Sequence, residues 1–462
     1  MRKFFVTLLA LILIACGTES STVDVSVEPT EPVAEESTTS TSSTTTTIFV
    51  EEPFAVDEFG IELIEMGSEM KEQFDSLVSF VEKRTGLKFT EYPKYQLYTL
   101  NGYQEYNAVS YLDDFDEDYE EGEWERAVLS ENMWGLTEAT PDQMKNLLVE
   151  FQRCASAGSY NLLDKILRVP INKNQKKFNL WEQSVIVHEL THSLQGQVVD
   201  LSGWYEEMKE ADDFSNYPGR RAIMEAQADL VQARWESSLD QYDRTTLNSQ
   251  QPNFSCRVSL PEYFYIPNDL YYSFGPQLVK EIYNDGGMEA INEALFELPT
   301  DEQIYSKEKY FSGEVYEEVV INTIDIKNYS LVDEGDLGAL DMVYITQGVI
   351  GRPNAVQGAI GIGGGSWKDY VNENGNLVMT AKISGDNQTE LSEIYQAWVL
   401  WADNQRRFES VEELYGGLLY KGSTNVWLSN DGNFVRMVLV QDLSIINEIS
   451  SQLGDLSSAK AG

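Results

Sequence analysis

Both histidines of this 462-residue chain lie in one pentapeptide, His188-Glu189-Leu190-Thr191-His192. Residues four apart on a helix share a face, so the two imidazoles can converge on one metal ion. Glu189 follows the first histidine, where a carboxylate can accept a proton from a water molecule that the metal activates. The HExxH pattern therefore predicts a helix with two metal ligands and a general base. A chance match on a surface helix is the alternative.

The residues around the motif predict that this helix is largely buried with one polar stripe, because apolar residues flank the motif on both sides. The apolar residues are Val185, Ile186, Val187, Leu190 and Leu194, and the polar ones are Gln183, Ser184, Ser193, Gln195 and Gln197.

A catalytic zinc ion keeps three protein ligands and one open position. The chain has no third histidine and no cysteine near the motif, so we expect a carboxylate as third ligand. Glu225 and Asp229 lie four apart in segment 220–231, whose apolar residues have helical spacing. Glu225 is predicted to bind zinc, and Asp229 to hold a ligating histidine through its other ring nitrogen. The alternative for Glu225 is an ordinary solvated glutamate.

An HExxH helix followed by a helix with Glu-x-x-x-Asp resembles the gluzincin metallopeptidases. The chain is still more similar to a group of uncharacterised bacterial secreted or lipoprotein HExxH proteins. The matching segments are 157–160, 188–197, 222–228, 283–288, 302–304 and 308–310, within a region of roughly residues 140 to 400. Two positions depart from that group: Ala226 stands where glycine is usual, and residues 305–307 lack a histidine that is often present there.

The resemblance implies an α+β, zincin-like catalytic domain with the active helix under a small sheet. It implies a metallopeptidase with one Zn²⁺ ion, peptide or protein substrates and Glu189 as general base. The metal ligands would be His188, His192 and Glu225. The edge strand of such a sheet binds an extended substrate, and residues 166–171 are predicted to be that strand.

The oxyanion that forms during hydrolysis needs a hydrogen-bond donor besides zinc. With no spare histidine, the candidates by position are Tyr271, Tyr272 and Arg221. Packing of the tyrosines and a surface ion pair of Arg221 are the alternatives. Two rival functions stay open: a surface lipoprotein that binds partners without cleaving them, and hydrolysis of a non-peptide amide. The intact Glu189 argues against the first.

The N-terminus resembles a bacterial lipoprotein signal. Arg2-Lys3 precede an apolar run over residues 4–14 that is too short to span a bilayer, and Leu13-Ile14-Ala15-Cys16 resembles the lipobox. We expect residues 1–15 to be removed, Cys16 to be lipidated, and residues 16–53 to be a disordered tether rich in Ser, Thr, Glu and Pro. The predicted location is the bacterial cell envelope, outside the cytoplasm, with the lipid as the sole membrane anchor. A plain secretory signal is the alternative.

Charge excludes one class of partner. The 33 basic and 76 acidic residues give a net charge of −43, which repels nucleic-acid phosphates. The acidic run over residues 113–125 lacks the glycine of a calcium loop and is predicted to be a solvated loop. Cys154 and Cys256 either form a disulfide or remain separate buried thiols. No sequence feature indicates an oligomeric state.

The globular part is predicted to comprise a catalytic domain (residues 54–335) and a smaller C-terminal α+β part (336–462). Asn374-Gly375 indicates a hairpin in the second part, and the Gly361–Gly365 cluster is predicted to be a loop. Helices are predicted near 62–84, 140–156, 268–298 (with a break at Gly286-Gly287) and around Trp398 and Trp401, and strands near 92–100, 166–171 and 417–440, before a terminal helix.

Overall fold

A computed structural model of the chain describes residues 56–119, 122–211, 216–252 and 258–452. The predicted signal peptide (1–15), the lipidated Cys16 and the tether (16–53) lie outside the described residues, and so does Cys256. Among the described residues, no helix is both long and apolar enough to cross a membrane.

The chain is a mixed α+β protein, as predicted. Its helices are α1 (Ser68–Thr85), α2 (Leu100–Asp118), α3 (Glu123–Trp134), α4 (Pro141–Ala155), α5 (Leu180–Val198), α6 (Leu201–Ala211), α7 (Tyr217–Ser238), α8 (Gln241–Leu247), α9 (Ile266–Asp269), α10 (Gly275–Ala294), α11 (Asp301–Tyr305), α12 (Lys307–Ser312), α13 (Ala339–Ile350), α14 (Arg352–Ala359), α15 (Gln388–Asn404) and α16 (Ser444–Glu448). Its strands are β1 (Lys94–Tyr98), β2 (Ser159–Tyr160), β3 (Ile166–Pro170), β4 (Tyr329–Asp336), β5 (Ile362–Asn372), β6 (Leu377–Gly385), β7 (Phe408–Leu414), β8 (Gly417–Gly422), β9 (Asn425–Asn430) and β10 (Val435–Val440). Two 3₁₀ turns (Asn248–Gln250 and Glu262–Tyr265) and a π-helical turn (Leu270–Phe274) complete the elements.

Helix α5 carries the HExxH motif through the protein interior. It begins with a capping box, in which the Asn179 side chain accepts from the Glu182 amide and the Glu182 carboxylate accepts from the Asn179 amide. Such a reciprocal pair satisfies two backbone donors that a helix start leaves open. All residues from 184 to 196 are buried, which agrees with the prediction from the flanking apolar residues.

A three-stranded sheet packs beside α5, with strand order β1-β3-β2. Strand β3 is central: β1 pairs with it in parallel over its whole length, and β2 pairs with its residues Leu167 and Arg168. The prediction that residues 166–171 form the edge strand is therefore wrong. In the described part of the chain, the edge next to α5 belongs to β2, because the short turn after Tyr160 folds the chain back on β3.

A seven-stranded antiparallel sheet forms the rest of the fold, with strand order β4-β5-β6-β10-β9-β8-β7. Helix α15 packs on one face through Trp398 and Trp401, while residues 321–326 and α16 cover part of the other. The predicted hairpin is confirmed, and Gly375 adopts the left-handed φ of 77° in its turn. The predicted loop at the glycine cluster is wrong, because β5 begins at Ile362 and pairs with β6 from there.

One continuous apolar core joins the two predicted parts of the chain. It contains residues of α7 and α10 from the first part and of α13, α15, β6 and β10 from the second. The predicted boundary after residue 335 falls inside β4, the first strand of the large sheet. Burial therefore connects the helical region and the seven-stranded sheet directly.

Lys309 is the centre of a cluster that links α11 and α12 to the large sheet. Its ammonium lies 3.1 Å from Glu302 Oε1 and 2.6 Å from Glu314 Oε1, and it also contacts Asp386. Glu302 Oε1 accepts in addition from the Gly361 amide. These contacts give a structural reason why Glu302 and Lys309 match the bacterial HExxH group. The carboxylates of Glu302, Glu314 and Asp386 surround the ammonium group of Lys309, which supplies their positive charge.

The acidic run over residues 113–125 is helical up to Asp118 and again from Glu123, where α3 begins, so the predicted loop is wrong for both portions. Helix α2 forms because Tyr103, Tyr106, Tyr111 and Phe115 give it a buried apolar face.

Candidate metal centre

The three predicted metal ligands meet where α5 packs on α7. His188 Nε2 lies 3.0 Å from His192 Nε2, and each of these nitrogens lies 3.4 Å from Glu225 Oε2. The relative exposure of His188, His192 and Glu225 is only 3%, 7% and 3%. The structure thus brings together two imidazoles and one carboxylate from separate helices.

The outward-facing nitrogen of His188 is held by a polar chain. His188 Nδ1 lies 3.0 Å from Gln232 Oε1, whose amide nitrogen donates to Ser184 Oγ at 2.8 Å. Ser184 Oγ in turn donates to Glu236 Oε1 at 2.6 Å. A carboxylate accepts only, so this order makes Gln232 Oε1 the acceptor and His188 Nδ1 the protonated nitrogen. Asp229 Oδ1, predicted for this role, lies at 3.4 Å, farther away than Gln232.

His192 is held in the same way by Gln195 on its own helix. His192 Nδ1 lies 2.9 Å from Gln195 Oε1. The Gln195 amide nitrogen donates to the Met224 carbonyl at 2.9 Å and to Gln227 Oε1 at 2.9 Å. Because a carbonyl accepts only, the Gln195 oxygen faces His192, and Nδ1 of His192 carries the proton.

With both protons on Nδ1, both Nε2 atoms present lone pairs to each other and to the Glu225 carboxylate. Three electron-rich atoms at 3.0–3.4 Å repel one another unless a cation lies between them. Two neutral imidazoles and a carboxylate are also a ligand set that zinc prefers. The donor chemistry at this point fits a divalent metal ion.

Glu225 is supported from its other side by Arg221 and Tyr272. Arg221 Nε donates to Glu225 Oε1 at 3.3 Å, and the Tyr272 hydroxyl donates to Glu225 Oε2 at 3.0 Å. Burial raises the pKa of Glu225, but its two imidazole neighbours and the Arg221 guanidinium lower it by more. The net pKa lies well below the ordinary value of 4.5. The carboxylate is therefore in its metal-binding, ionised form at neutral pH.

The three predicted oxyanion donors differ in placement. Arg221 is 2% exposed and its guanidinium lies over the Tyr271 ring at 4.6 Å, so the alternative of a surface ion pair is wrong. Tyr271 is fully buried. Tyr272 is half-buried and stands in the π-helical turn, a geometry that is frequent at functional sites. Of the three, Tyr272 combines partial exposure with a hydroxyl beside the metal-facing oxygen of Glu225.

Glu189 is fully buried, under the segment that leads into β2. Gly158 lies against α5 so closely that a Cβ atom there would stand 2.5 Å from Val185 Cγ1 and 3.4 Å from Glu189 Cγ. Only glycine allows this approach without displacing Val185. The edge of the small sheet therefore lies directly over the predicted general base.

The amides of Gln195, Gln227 and Gln232 are site residues that sequence reasoning did not assign. Gln195 follows His192 by three positions and Gln232 follows Glu225 by seven, so both lie on the ligand faces of their helices. That spacing was a usable signal, although glutamine is common on solvated helix faces as well.

Cys154 is disulfide-bonded. Its predicted pairing with Cys256 stays a prediction, because Cys256 lies outside the described residues.

Comparison of the chain with protein-family models, with curated proteins and with solved structures finds no match. Function is therefore inferred from side-chain geometry.

Proposed function

We propose that this protein is a zinc-dependent peptidase with a zincin-like, gluzincin-type catalytic part. The observation that carries the proposal is the convergence of His188 Nε2, His192 Nε2 and Glu225 Oε2 within 3.4 Å of one another. Two separate hydrogen-bonded chains keep the two imidazoles in the tautomer that binds metal. Such support for both histidines is not expected in a chance cluster.

His188, His192 and Glu225 would hold one Zn²⁺ ion, which, when bound, supplies a Lewis acid that brings the pKa of water near 7. Glu189 accepts the proton of the attacking water and delivers it to the leaving amine. Glu189 lies next to His188 and three residues before His192 on the same helix, which fixes their relative positions.

The substrate class that fits is an extended peptide. Segment 157–160 forms the edge of the small sheet over Glu189, and Gly158 brings its backbone close to α5. An extended peptide can add to such an edge through backbone hydrogen bonds. We assign substrate binding to this edge in place of residues 166–171.

The proposed cellular location rests on the sequence before residue 56. A lipid on Cys16 and a tether up to residue 53 would hold the catalytic part outside the cytoplasm of a bacterium. A protein substrate of the cell surface or its surroundings agrees with that location.

Tyr272 is the proposed donor to the oxyanion. Replacing Tyr272 with phenylalanine removes only its hydroxyl, so we expect kcat to fall by about 10²-fold or more, while zinc stays bound. Tyr242→Phe is the matched control, because Tyr242 is 74% exposed. Steady-state kinetics with zinc content measured on the same samples checks this. An unchanged kcat in Tyr272→Phe would remove the tyrosine from the mechanism.

Zinc binding itself is the first test of the proposal. We expect metal-free protein to take up one zinc ion per chain, and Glu225→Ala to weaken binding at least about 100-fold, because it removes a ligand rather than an outer partner. Competition against a chelator gives the affinities, and Glu207→Ala, an exposed position on α6, is the control. Wild-type protein that binds no zinc under these conditions would refute the proposed function.

A further inference from the structure

A continuous chain of three side-chain amides runs from His192 to the far side of the helical region. We call Gln195, Gln227 and Asn292 the amide chain. Gln195 Nε2 donates to Gln227 Oε1 at 2.9 Å, and Gln227 Nε2 donates to Asn292 Oδ1 at 2.8 Å. Asn292 Nδ2 donates to the Thr85 carbonyl at 2.9 Å. The chain therefore crosses from α5 through α7 and α10 to the last residue of α1.

The direction of the hydrogen bonds in the amide chain is set by backbone carbonyl groups at both ends, because Met224 orients Gln195 and Thr85 orients Asn292. The Thr85 carbonyl accepts only, so Asn292 must turn its amino group towards it and its oxygen towards Gln227. Gln227 must then present its oxygen to Gln195, which presents its own oxygen to His192. Gln195 and Gln227 are 1% and 0% exposed, so water does not compete for these positions.

The backbone of α10 brings Asn292 to this place. The helix has a kink at Gly287, where φ is 69° and ψ is −154°, close to the predicted break. After the kink, Met288 and Asn292 face Gln227, with Met288 Sδ at 3.7 Å and Asn292 Oδ1 at 2.8 Å from its amide nitrogen. Glycine is the residue that adopts such a backbone without strain.

We propose that Asn292, acting through Gln227 and Gln195, is a positioning residue that sets the metal affinity of His192. The inference rests on the proposed function, since it concerns the same metal centre. Without Asn292, the Gln227 amide loses the partner that defines its orientation, and Gln227 and Gln195 gain alternative hydrogen-bond arrangements. If Gln227 turned its amino group towards Gln195, Gln195 would keep the Met224 carbonyl as an acceptor but lose Gln227 Oε1, and its oxygen would hold His192 Nδ1 less firmly.

The test is zinc affinity in Asn292→Leu, which removes both the donor and the acceptor at similar size. We expect zinc binding to weaken about 10- to 100-fold, the range for partners of a metal-bound histidine. Asn284→Leu is the matched control, because Asn284 is exposed on the same helix. Chelator competition measures the affinity, and the visible spectrum of the Co²⁺-substituted protein reports the ligand geometry without any need for activity.

Gln227→Met supplies a second variant in case Asn292→Leu does not fold. We expect it to weaken zinc binding to a similar extent, and the double variant to bind little worse than either single one, because both members act through one path. Equal zinc affinities and Co²⁺ spectra in wild type and in the folded variants would overturn the inference. Wild-type protein that fails to bind zinc would overturn the proposed function instead.

Discussion

Glu189→Gln should abolish peptide hydrolysis and leave the metal centre intact. We expect kcat/KM to fall about 10³-fold or more, because the amide keeps the shape of the side chain but cannot accept a proton, and proton transfer of this kind contributes about 10² to 10⁴-fold. Zinc content should match that of wild type, because His188, His192 and Glu225 remain. Hydrolysis of a broad panel of labelled peptides, with zinc determined on the same protein, checks both halves of the expectation.

The matched control for Glu189→Gln is Glu72→Gln, which makes the same change at an exposed position of α1. It should hydrolyse peptides at the wild-type rate. If wild type binds zinc but neither wild type nor Glu189→Gln cleaves any peptide, the panel is repeated with non-peptide amides such as cell-wall cross-links. Activity there identifies a different amide as substrate, and inactivity towards both supports a binding lipoprotein over an enzyme.

A buried carboxyl group that is not part of the candidate metal centre should make the stability of this protein fall as the pH rises. Glu131 is 1% exposed and accepts from the Tyr263 hydroxyl at 2.6 Å and from the Tyr344 hydroxyl at 2.9 Å. Burial raises its pKa from 4.5 to about 8, although both hydrogen bonds act in the opposite direction. The folded protein thus keeps a proton on Glu131 at neutral pH that the unfolded chain has lost.

The sign of the effect follows from that difference. The stabilisation by the bound proton is complete below pH 4.5, the unfolded value, and is lost as the pH rises to about 8. One pKa unit corresponds to about 1.4 kcal/mol, so the loss amounts to roughly 4 to 5 kcal/mol. Glu302 and Asp369, whose pKa values burial raises to about 7 each, act in the same direction.

Glu131→Gln isolates the contribution of Glu131. The amide is uncharged at every pH and has nearly the shape of the protonated carboxyl. The free energy of unfolding of the variant minus that of wild type should therefore increase from pH 5 to pH 8. Urea denaturation at several pH values measures the difference, on metal-free protein so that pH-dependent metal binding does not contribute to the measured stability. Parallel curves for the two proteins would show that Glu131 is ionised in the folded state.

The metal helices could be predicted from sequence because their signals are local. His188 and His192 share a helical face by spacing alone, and the apolar residues around them indicate burial. The prediction of Glu225 needed one further step: a catalytic zinc ion has three protein ligands, and the chain has only two histidines. Each pattern, His188 to His192 and Glu225 to Asp229, lies within two turns of a single helix.

The rest of the site depends on contacts that no local pattern contains. Asn292 meets Gln227 only because α10 bends at Gly287 and returns towards α1. Strand order is equally non-local: the sequence of β3 does not reveal that β2 covers its outer side. Glu131 is one of 76 acidic residues, and only its surroundings distinguish it. The end of α2 from Asp113 onwards was wrongly predicted as a loop, because its acids conceal the helical spacing of the aromatic residues Tyr111 and Phe115.

The shared apolar core limits how this protein can be shortened or recombined during evolution. Side chains of the large sheet and its helices belong to the same apolar core as those of α7, the helix that carries Glu225. A gene fragment that encoded only the first 335 residues would leave part of that core exposed, so exchange of the sheet as a separate module is disfavoured. Reactive groups and scaffold are expected to be inherited together.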